Sequence, residues 1–258
     1  MERVRAKKHL GQHFLRDKGI AADIVAALEP QNRFKYVLEI GPGTGVLTDI
    51  LVKRTDIDLS VIELDKESVA FLKENKILSP EKIIEGDFLK LDIQQLFNGP
   101  FGLIGNFPYN ISSQIFFKVL ENKEIVPEVV CMIQKEVAQR IASPHGNKDY
   151  GILSVLLQAF YDIKYLFTVD ENVFIPPPKV KSAVIRLTRN SRETLPCDEV
   201  FFIKLVKQAF STRRKTLRNA LKPYGISAEL SKDPIFDKRA EQLSVDAFID
   251  LAVRIKQK

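Results

Sequence analysis

The tetrapeptide Asn106-Phe107-Pro108-Tyr109 combines residue types suited to holding an exocyclic amine of a nucleobase. Such an amine is a poor nucleophile because its lone pair is delocalised into the ring, so a catalyst must hold its two N–H groups and leave the lone pair free. Two acceptors are needed. The side-chain oxygen of Asn106 and the main-chain carbonyl of Phe107 supply them, Pro108 stiffens the loop, and Tyr109 offers an aromatic face to a flipped-out base. A plainer reading makes Asn106 the cap of a helix starting near Ser112 and puts Tyr109 in the core. Against it stands position: the tetrapeptide directly follows an expected strand, and it comes after a glycine loop and two carboxylates that also follow strands.

The glycine loop is Glu39-Ile-Gly41-Pro-Gly43-Thr-Gly45, where an apolar run passes straight into three alternating glycines and then a helix. Glycine here permits positive φ and close approach of a ligand to bare backbone, and the following helix offers unpaired N–H groups. Dinucleotide folds use G-x-G-x-x-G, with the third glycine one position later. Glu63 ends the next strand, 22 residues after Gly41, about where a carboxylate in this architecture accepts hydrogen bonds from ribose hydroxyls. Together these point to an adenosine-type cofactor; the glycine turn alone is equally a tight strand-to-helix connection. Asp87, in Gly86-Asp87-Phe88, follows the third strand and suits an adenine amino group, with Phe88 packing on the ring. Taken alone, an Asp at such a place more often caps a turn.

These positions must be set by strands and helices. Apolar stretches bounded by turn residues alternate with amphipathic ones, the pattern of an open α/β sheet. Strands are expected at 36–40, 59–62, 82–85, 101–105, 129–133, 163–168 and 180–188, and helices at 18–27, 47–54, 66–75, 112–120, 135–142 and 152–160. The link between the last two strands, 169–179, is too short for a helical crossover, so they should pair antiparallel. It contains Phe174 ahead of Pro176-Pro177-Pro178, whose restricted backbone would fix a loop; as a lone aromatic, Phe174 is more often core. Beyond Thr188 strand signals cease and helices are expected at 198–210, 213–221 and 245–256. The reading is therefore a catalytic domain over 1–188, including a basic arm at 1–18, and a helical domain over 189–258.

The chain has 258 residues, 45% hydrophobic and 28% charged, ordinary globular usage that excludes a disordered or low-complexity chain. No apolar run approaches the ~20 residues of a membrane span, and the basic N-terminus lacks the apolar core of a secretory signal. Cys131 and Cys197 are too few for a disulfide framework, so a reducing cytoplasm is expected. His9, His13 and His145 do not cluster with one another or with cysteines, so no metal site is expected. The formal charge is +6, but residues 1–18, 179–192 and 211–222 together carry +14, leaving about −8 on the rest. Three basic segments on an acidic body suggest a surface that tracks phosphates, with solvated lysine faces as the alternative.

Taken together, Gly11-Gln12-His13-Phe14-Leu15, Glu39 to Leu47, Val61 to Asp65, Gly86 to Phe88, Asn106 to Ser112, Phe174 to Val184 and Phe210 to Asn219 resemble, over nearly the full length, the small-subunit ribosomal RNA adenine N6,N6-dimethyltransferases. The resemblance implies a seven-stranded, Rossmann-like S-adenosylmethionine (SAM)-dependent methyltransferase sheet with a small all-helical C-terminal domain. It implies SAM contacts from His13, Leu15, Gly41, Glu63, Asp87 and Asn106, stacking of Tyr109 and Phe174 on the target adenine, and phosphate contacts from Arg213, Arg214, Lys215 and Arg218. Family members often carry Asn where this chain has His13. The implied substrate is a pair of adjacent adenines in a hairpin loop of small-subunit rRNA, in a partly assembled small ribosomal subunit, with the enzyme a monomer by default. Two alternatives share the Asn-x-Pro-Tyr core or the binding role: the antibiotic-resistance relative that methylates large-subunit rRNA, and a ribosome-assembly factor whose chemistry is secondary. Gly11 before Gln12 and the Arg213 to Asn219 run look more like the small-subunit type.

Overall fold

The computed structural model describes residues 4–256. Strands β1 (Phe14–Leu15) through β9 and helices α1 (Lys18–Ala26) through α9 follow one another with short connections. The central sheet holds β2 (Tyr36–Ile40), β3 (Asp58–Glu63), β4 (Ile83–Glu85), β5 (Phe101–Asn106), β6 (Glu128–Gln134), β7 (Tyr161–Val169) and β9 (Ser182–Arg189), in the order β4-β3-β2-β5-β6-β9-β7. Pairs from β4 to β6 are parallel, and β9 runs antiparallel to β6. All seven expected strands are present, and the last two are neighbours, as expected. Parallel strands buried on both faces need continuous apolar runs, and Val37, Leu38, Val61, Leu103, Ile104, Val129 and Val130 provide them, none more than 1% exposed.

Parallel pairing puts the carboxyl ends of β2, β3, β4 and β5 at one sheet edge, where open α/β folds bind ligands. Helix α2 (Thr48–Leu51) follows the glycine loop and is shorter than the expected 47–54. Asp65 caps α3 (Lys66–Glu74) by accepting from the Glu67 N–H. Helix α4 (Ser112–Glu121) buries Ile115, Phe116, Val119 and Leu120, the i, i+1, i+4, i+5 stripe of a helix laid on a sheet.

Two strands have no counterpart in the sequence reading: β1 pairs antiparallel with β8 (Phe174–Ile175), Phe14 opposite Ile175 and Leu15 opposite Phe174. Two-residue strands carry too little periodicity to be read from sequence. Side chains alternate across a strand, and Leu15 and Phe174, 3% and 2% exposed, both enter the core with Ile24, Val37, Val61, Ile104 and Val184.

The chain divides into two compact units. The first runs through Ala138 and resumes at Asp162–Arg189; the second is Gln139–Tyr161 with the chain from Asn190 onward. The expected boundary near 188–189 is thus incomplete, because 139–161 leaves the catalytic domain. The reason is packing: α6 (Ile152–Gln158) buries Val155, Leu156 and Leu157, and its contacts are with α7 (Glu199–Ser211) and α9 (Val245–Lys256). α5 (Lys135–Ala142) carries the chain from one unit into the other. The expected basic helix at 213–221 is also corrected. Only α8 (Leu217–Ala220) is helical; before it, Lys215 N–H closes a turn on the Thr212 carbonyl and Leu217 N–H bonds the Lys238 carbonyl.

Candidate active site

A cleft at the carboxyl edge of the sheet is lined by Gly11, Gln12 and His13 from the arm, Gly41 and Gly43 after β2, Glu63 and Leu64 after β3, Gly86 to Phe88 after β4, and Asn106 to Ile111 after β5. It is a concave, partly open cleft of the kind in which open α/β sheets bind ligands. All of these residues lie in the first unit.

The end of β5 lies close against β2: a Cβ at Gly105 would stand 2.5 Å from the Ile40 carbonyl oxygen, so no other residue fits between the two strands there. Phe107 N–H bonds the Met132 carbonyl at 3.0 Å, and its ring, 1% exposed, packs on Phe116. The Ile111 N–H closes the loop on the Pro108 carbonyl at 3.2 Å. Asn106 does not cap α4, whose N-cap is Ile111 without a side-chain bond. Its Nδ2 instead donates to the His13 carbonyl at 2.8 Å. A carbonyl accepts only from the amide's donor end, so Oδ1 is turned away from His13. Neither Asn106 Oδ1 nor the Phe107 carbonyl has a hydrogen-bond partner among the described residues.

Tyr109 is held twice. Its hydroxyl is 2.5 Å from Ser182 Oγ on β9, and its ring stacks on the His13 imidazole at 5.4 Å. Burial raises the Tyr109 pKa, opposed in part by the Ser182 contact, so the phenol stays neutral. His13 Nδ1 lies 2.8 Å from the Pro176 carbonyl and therefore carries the proton in that bond.

The cofactor side is built from backbone and carboxylates. Gly41 has φ +67°, and a Cβ there would meet nothing within 4 Å, so bare backbone faces open space. Glu63, 5% exposed, accepts from the Gly43 N–H at 3.0 Å and the Asp65 N–H at 2.9 Å through different oxygens. Burial raises its pKa while those two N–H groups oppose the rise. Each oxygen keeps a lone pair for a further donor. Asp87 caps the turn, one oxygen accepting the Leu89 N–H at 2.9 Å, and the residue lines the cleft. Lys118 steadies that turn by donating to the Leu89 carbonyl at 3.0 Å, with its ammonium over the Phe88 ring. Behind the site, buried Glu39 accepts from the Thr48 hydroxyl at 2.7 Å, and burial pushes its pKa up to about 8.

The cleft thus gathers His13, Gly41, Glu63, Asp87, Asn106, Phe107, Pro108 and Tyr109. It does not gather the side chains of Leu15 or Phe174, which point into the core by strand alternation; stacking by Phe174, 2% exposed, would require its ring to leave the core, and a contact from Leu15 would be made by its main chain. Sequence reasoning missed Lys7, Asp65 and Ser182. A signal existed for two of them: Asp65 lies two residues beyond Glu63 as a helix-cap residue, and Ser182 opens a strand just ahead of the apolar run 183–185.

In the second unit the expected phosphate ligands separate into two kinds. Arg213 reaches the carbonyls of Lys148 and Tyr150, the latter at 2.9 Å, and pairs with Glu241 at 3.3 Å. Arg218 pairs with Asp237 at 2.7 Å and donates to the Ser231 carbonyl. Both have partners within the unit, with their side chains still 40% and 42% exposed. Arg214 and Lys215 are exposed and have no ion partner among the described residues. Four of the five basic residues at 179–192 are also paired: Lys181 with Asp170, Arg186 with Glu29, Arg189 with Glu124 and Arg192 with Asp246. Among the described residues no group of His, Cys, Asp and Glu could hold a metal ion, and no helix is long and apolar enough to cross a membrane.

An open seven-stranded sheet with this cleft at its carboxyl edge defines an enzyme of the SAM-dependent methyltransferase class, and the solved structures agree. A dimethyladenosine transferase from Plasmodium falciparum matches with a TM-score of 0.77 at 25% identity, covering 95% of this chain and 98% of its own. The 23S rRNA methyltransferase ErmE matches with a TM-score of 0.65 at 26% identity, covering 93% and 99%. By sequence, the profile of the family described as ribosomal RNA adenine dimethylase matches residues 3–257, and the chain belongs to that family. Among its relatives, ribosomal RNA small subunit methyltransferase A of Cytophaga hutchinsonii is 60% identical over 252 residues, 97% of each chain. The Flavobacterium johnsoniae protein of the same name is 56% identical over 257 residues, 99% of this chain and 98% of its own.

Proposed function

We propose that this protein transfers methyl groups from SAM to the N6 amines of two adjacent adenines in a hairpin loop near the 3′ end of small-subunit rRNA. On this reading it acts on assembling small ribosomal subunits in the cytoplasm, as a monomer. The observation that carries the chemistry is the Asn106 amide, anchored through Nδ2 with Oδ1 free beside the free Phe107 carbonyl. The relatives' names support the choice of subunit.

The residues present fit the cofactor. Open space above the Gly41 backbone leaves room for it, Glu63 suits its ribose hydroxyls, and Asp87 suits its adenine amine. When bound, SAM supplies a methyl group already activated by its sulfonium. The protein's own task is orientation. Asn106 Oδ1 and the Phe107 carbonyl accept the two N6 hydrogens and so leave the amine lone pair free, while Tyr109, fixed by Ser182, presents a flat face to the base. No strong general base is needed, because an alkylated aromatic amine sheds its proton readily. Arg214 and Lys215 supply sequence-independent attraction for phosphates.

The test is transfer of labelled methyl from SAM to small subunits lacking the modification, with mature small subunits, large subunits and DNA alongside, followed by nucleoside mass analysis. The reading expects dimethyladenosine from the unmodified small subunits alone. Label confined to large subunits would point to the resistance-type activity, and absence of label with SAM binding intact would leave a binding role.

A further inference from the structure

The cofactor half and the amine half of the cleft are bridged by the arm. At one end Lys7 Nζ pairs with Asp65 at 2.5 Å and with Glu67 at 3.0 Å. Gln12 Nε2 reaches the other Asp65 oxygen at 3.3 Å, and Gln12 Oε1 accepts the Lys7 N–H at 2.8 Å, which ties the two arm residues to each other. Asp65 is 2% exposed. Burial alone would raise its pKa, but the bonds from Lys7 and Gln12, with those from Glu67 N–H and Ser68, hold it below the usual carboxylate range. It is therefore a fixed anion, and its own N–H is bound to the ribose-side carboxylate Glu63. At the other end of the arm the His13 carbonyl holds Asn106 Nδ2, and the Asn110 Nδ2 donates to the His9 carbonyl at 3.3 Å.

We infer that Lys7 and Gln12 are positioning residues for methyl transfer: by clasping the arm to Asp65 they hold the His13 carbonyl where it turns the Asn106 amide oxygen toward the target amine. The physical need is specific. An unanchored Asn side chain turns its amide over freely, and the flipped form aims N–H donors at an amine that itself donates. A carbonyl at a fixed place selects one of the two forms before substrate arrives. The basic character of the arm is then only part of its use, since one of its charges is engaged by Asp65 rather than by phosphate. This inference rests on the cleft being a methyl-transfer site.

The test compares Lys7→Ala, Gln12→Ala, the double variant and Lys7→Arg with Lys8→Ala, which removes the same charge from an arm residue that makes no ion pair among the described residues. Three quantities are read in the full chain: rRNA affinity, single-turnover rate at saturating SAM and RNA, and the side-chain amide signal of Asn106 in protein labelled with 15N-asparagine, assigned with Asn106→Ala. Loss of positioning of this kind costs on the order of tenfold or more in rate. The expected result is a rate about tenfold lower for Lys7→Ala, lower again for the double variant, and restored by Lys7→Arg, with a shifted or exchange-broadened Asn106 amide. Lys8→Ala should share any loss of rRNA affinity but not the amide change. Equal rates for Lys7→Ala and Lys8→Ala, or an Asn106 amide signal unmoved in the double variant, would overturn the inference. If the wild-type protein modified no small-subunit RNA, the functional reading would fail, while the amide signal would still decide whether the clasp exists.

Discussion

The cleft of the first unit and the basic segment at 211–222 of the second carry the residues most suggestive of function, yet they use them in opposite ways. In the cleft the polar groups are tied down on one side and free on the other: Asn106 is bound through Nδ2 and open at Oδ1, and each Glu63 oxygen holds one N–H and keeps a lone pair. In the basic segment individual side chains either have partners within the unit, as Arg213 and Arg218 do, or are exposed without an ion partner among the described residues, as Arg214 and Lys215 are. Half-satisfied polar groups at a sheet edge are preorganised for chemistry. An alternation of engaged and exposed arginines is a stabilised scaffold that offers a few point charges.

The sharpest way to break this contrast is at Asn106. Asn106→Ala should lower the single-turnover rate by roughly 10²–10³, the range for removing one preorganised polar group from a reacting centre, with rRNA affinity nearly unchanged. Next, Glu63→Ala should weaken SAM binding by about 10- to 100-fold, as removal of a charged hydrogen-bonding partner of ~1.5–3 kcal/mol does; calorimetric titration with SAM reads it directly. In the second unit, Arg213→Ala should destabilise the protein by about 1–3 kcal/mol, because it strips donors from the Tyr150 carbonyl and leaves Glu241 unpaired. A lowered denaturant midpoint would show it, and an unchanged midpoint would return Arg213 to the set of free cations.

Glu39 gives a pH dependence of known sign. Its carboxyl titrates near 4.5 when exposed and at about 8 in the fold. Between those values the unfolded chain ionises first, so this residue makes stability fall as pH rises from about 4.5 toward 8, by on the order of 1 kcal/mol per pH unit. Glu39→Gln should flatten that fall and be more stable than wild type near pH 8, measured as denaturant midpoints at pH 5 and pH 8. The smallest effects belong to Arg214→Ala and Lys215→Ala: thermal stability unchanged, rRNA affinity weakened a few-fold, and the slope of log affinity against log salt reduced by about 1 for each phosphate that is no longer neutralised.

The cleft was legible in the sequence because each of its residues sits at a strand's carboxyl end. Once the order of strands is read, Gly41, Glu63, Asp87 and Asn106 must share one edge, whatever the rest of the chain does. The inward turn of the Leu15 and Phe174 side chains was not legible, because it depends on which way a two-residue strand faces, and no periodicity registers in so short an element. The segment 139–161 was assigned to the wrong unit for a related reason: α6 reads as a crossover helix by length, but its apolar residues are covered by α7 and α9, elements distant in sequence. The partners of Arg213 and Arg218 within the unit were not legible, because residue type does not reveal whether a carbonyl or a carboxylate waits nearby. Ser182 and the Lys7–Asp65 clasp are long-range pairs of the same kind.

The central claim is that the cleft performs the chemistry while the free cations of the basic segment only hold the RNA. The most direct measurement pairs rRNA dissociation constants with single-turnover methyl-transfer rates at saturating RNA for Asn106→Ala and for the Arg214→Ala, Lys215→Ala double variant. The account predicts a collapsed rate with near-normal affinity in the first, and weakened, less salt-sensitive binding with a near-normal rate in the second. Weakened binding with a normal rate in Asn106→Ala, or a collapsed rate in the double variant, would contradict it.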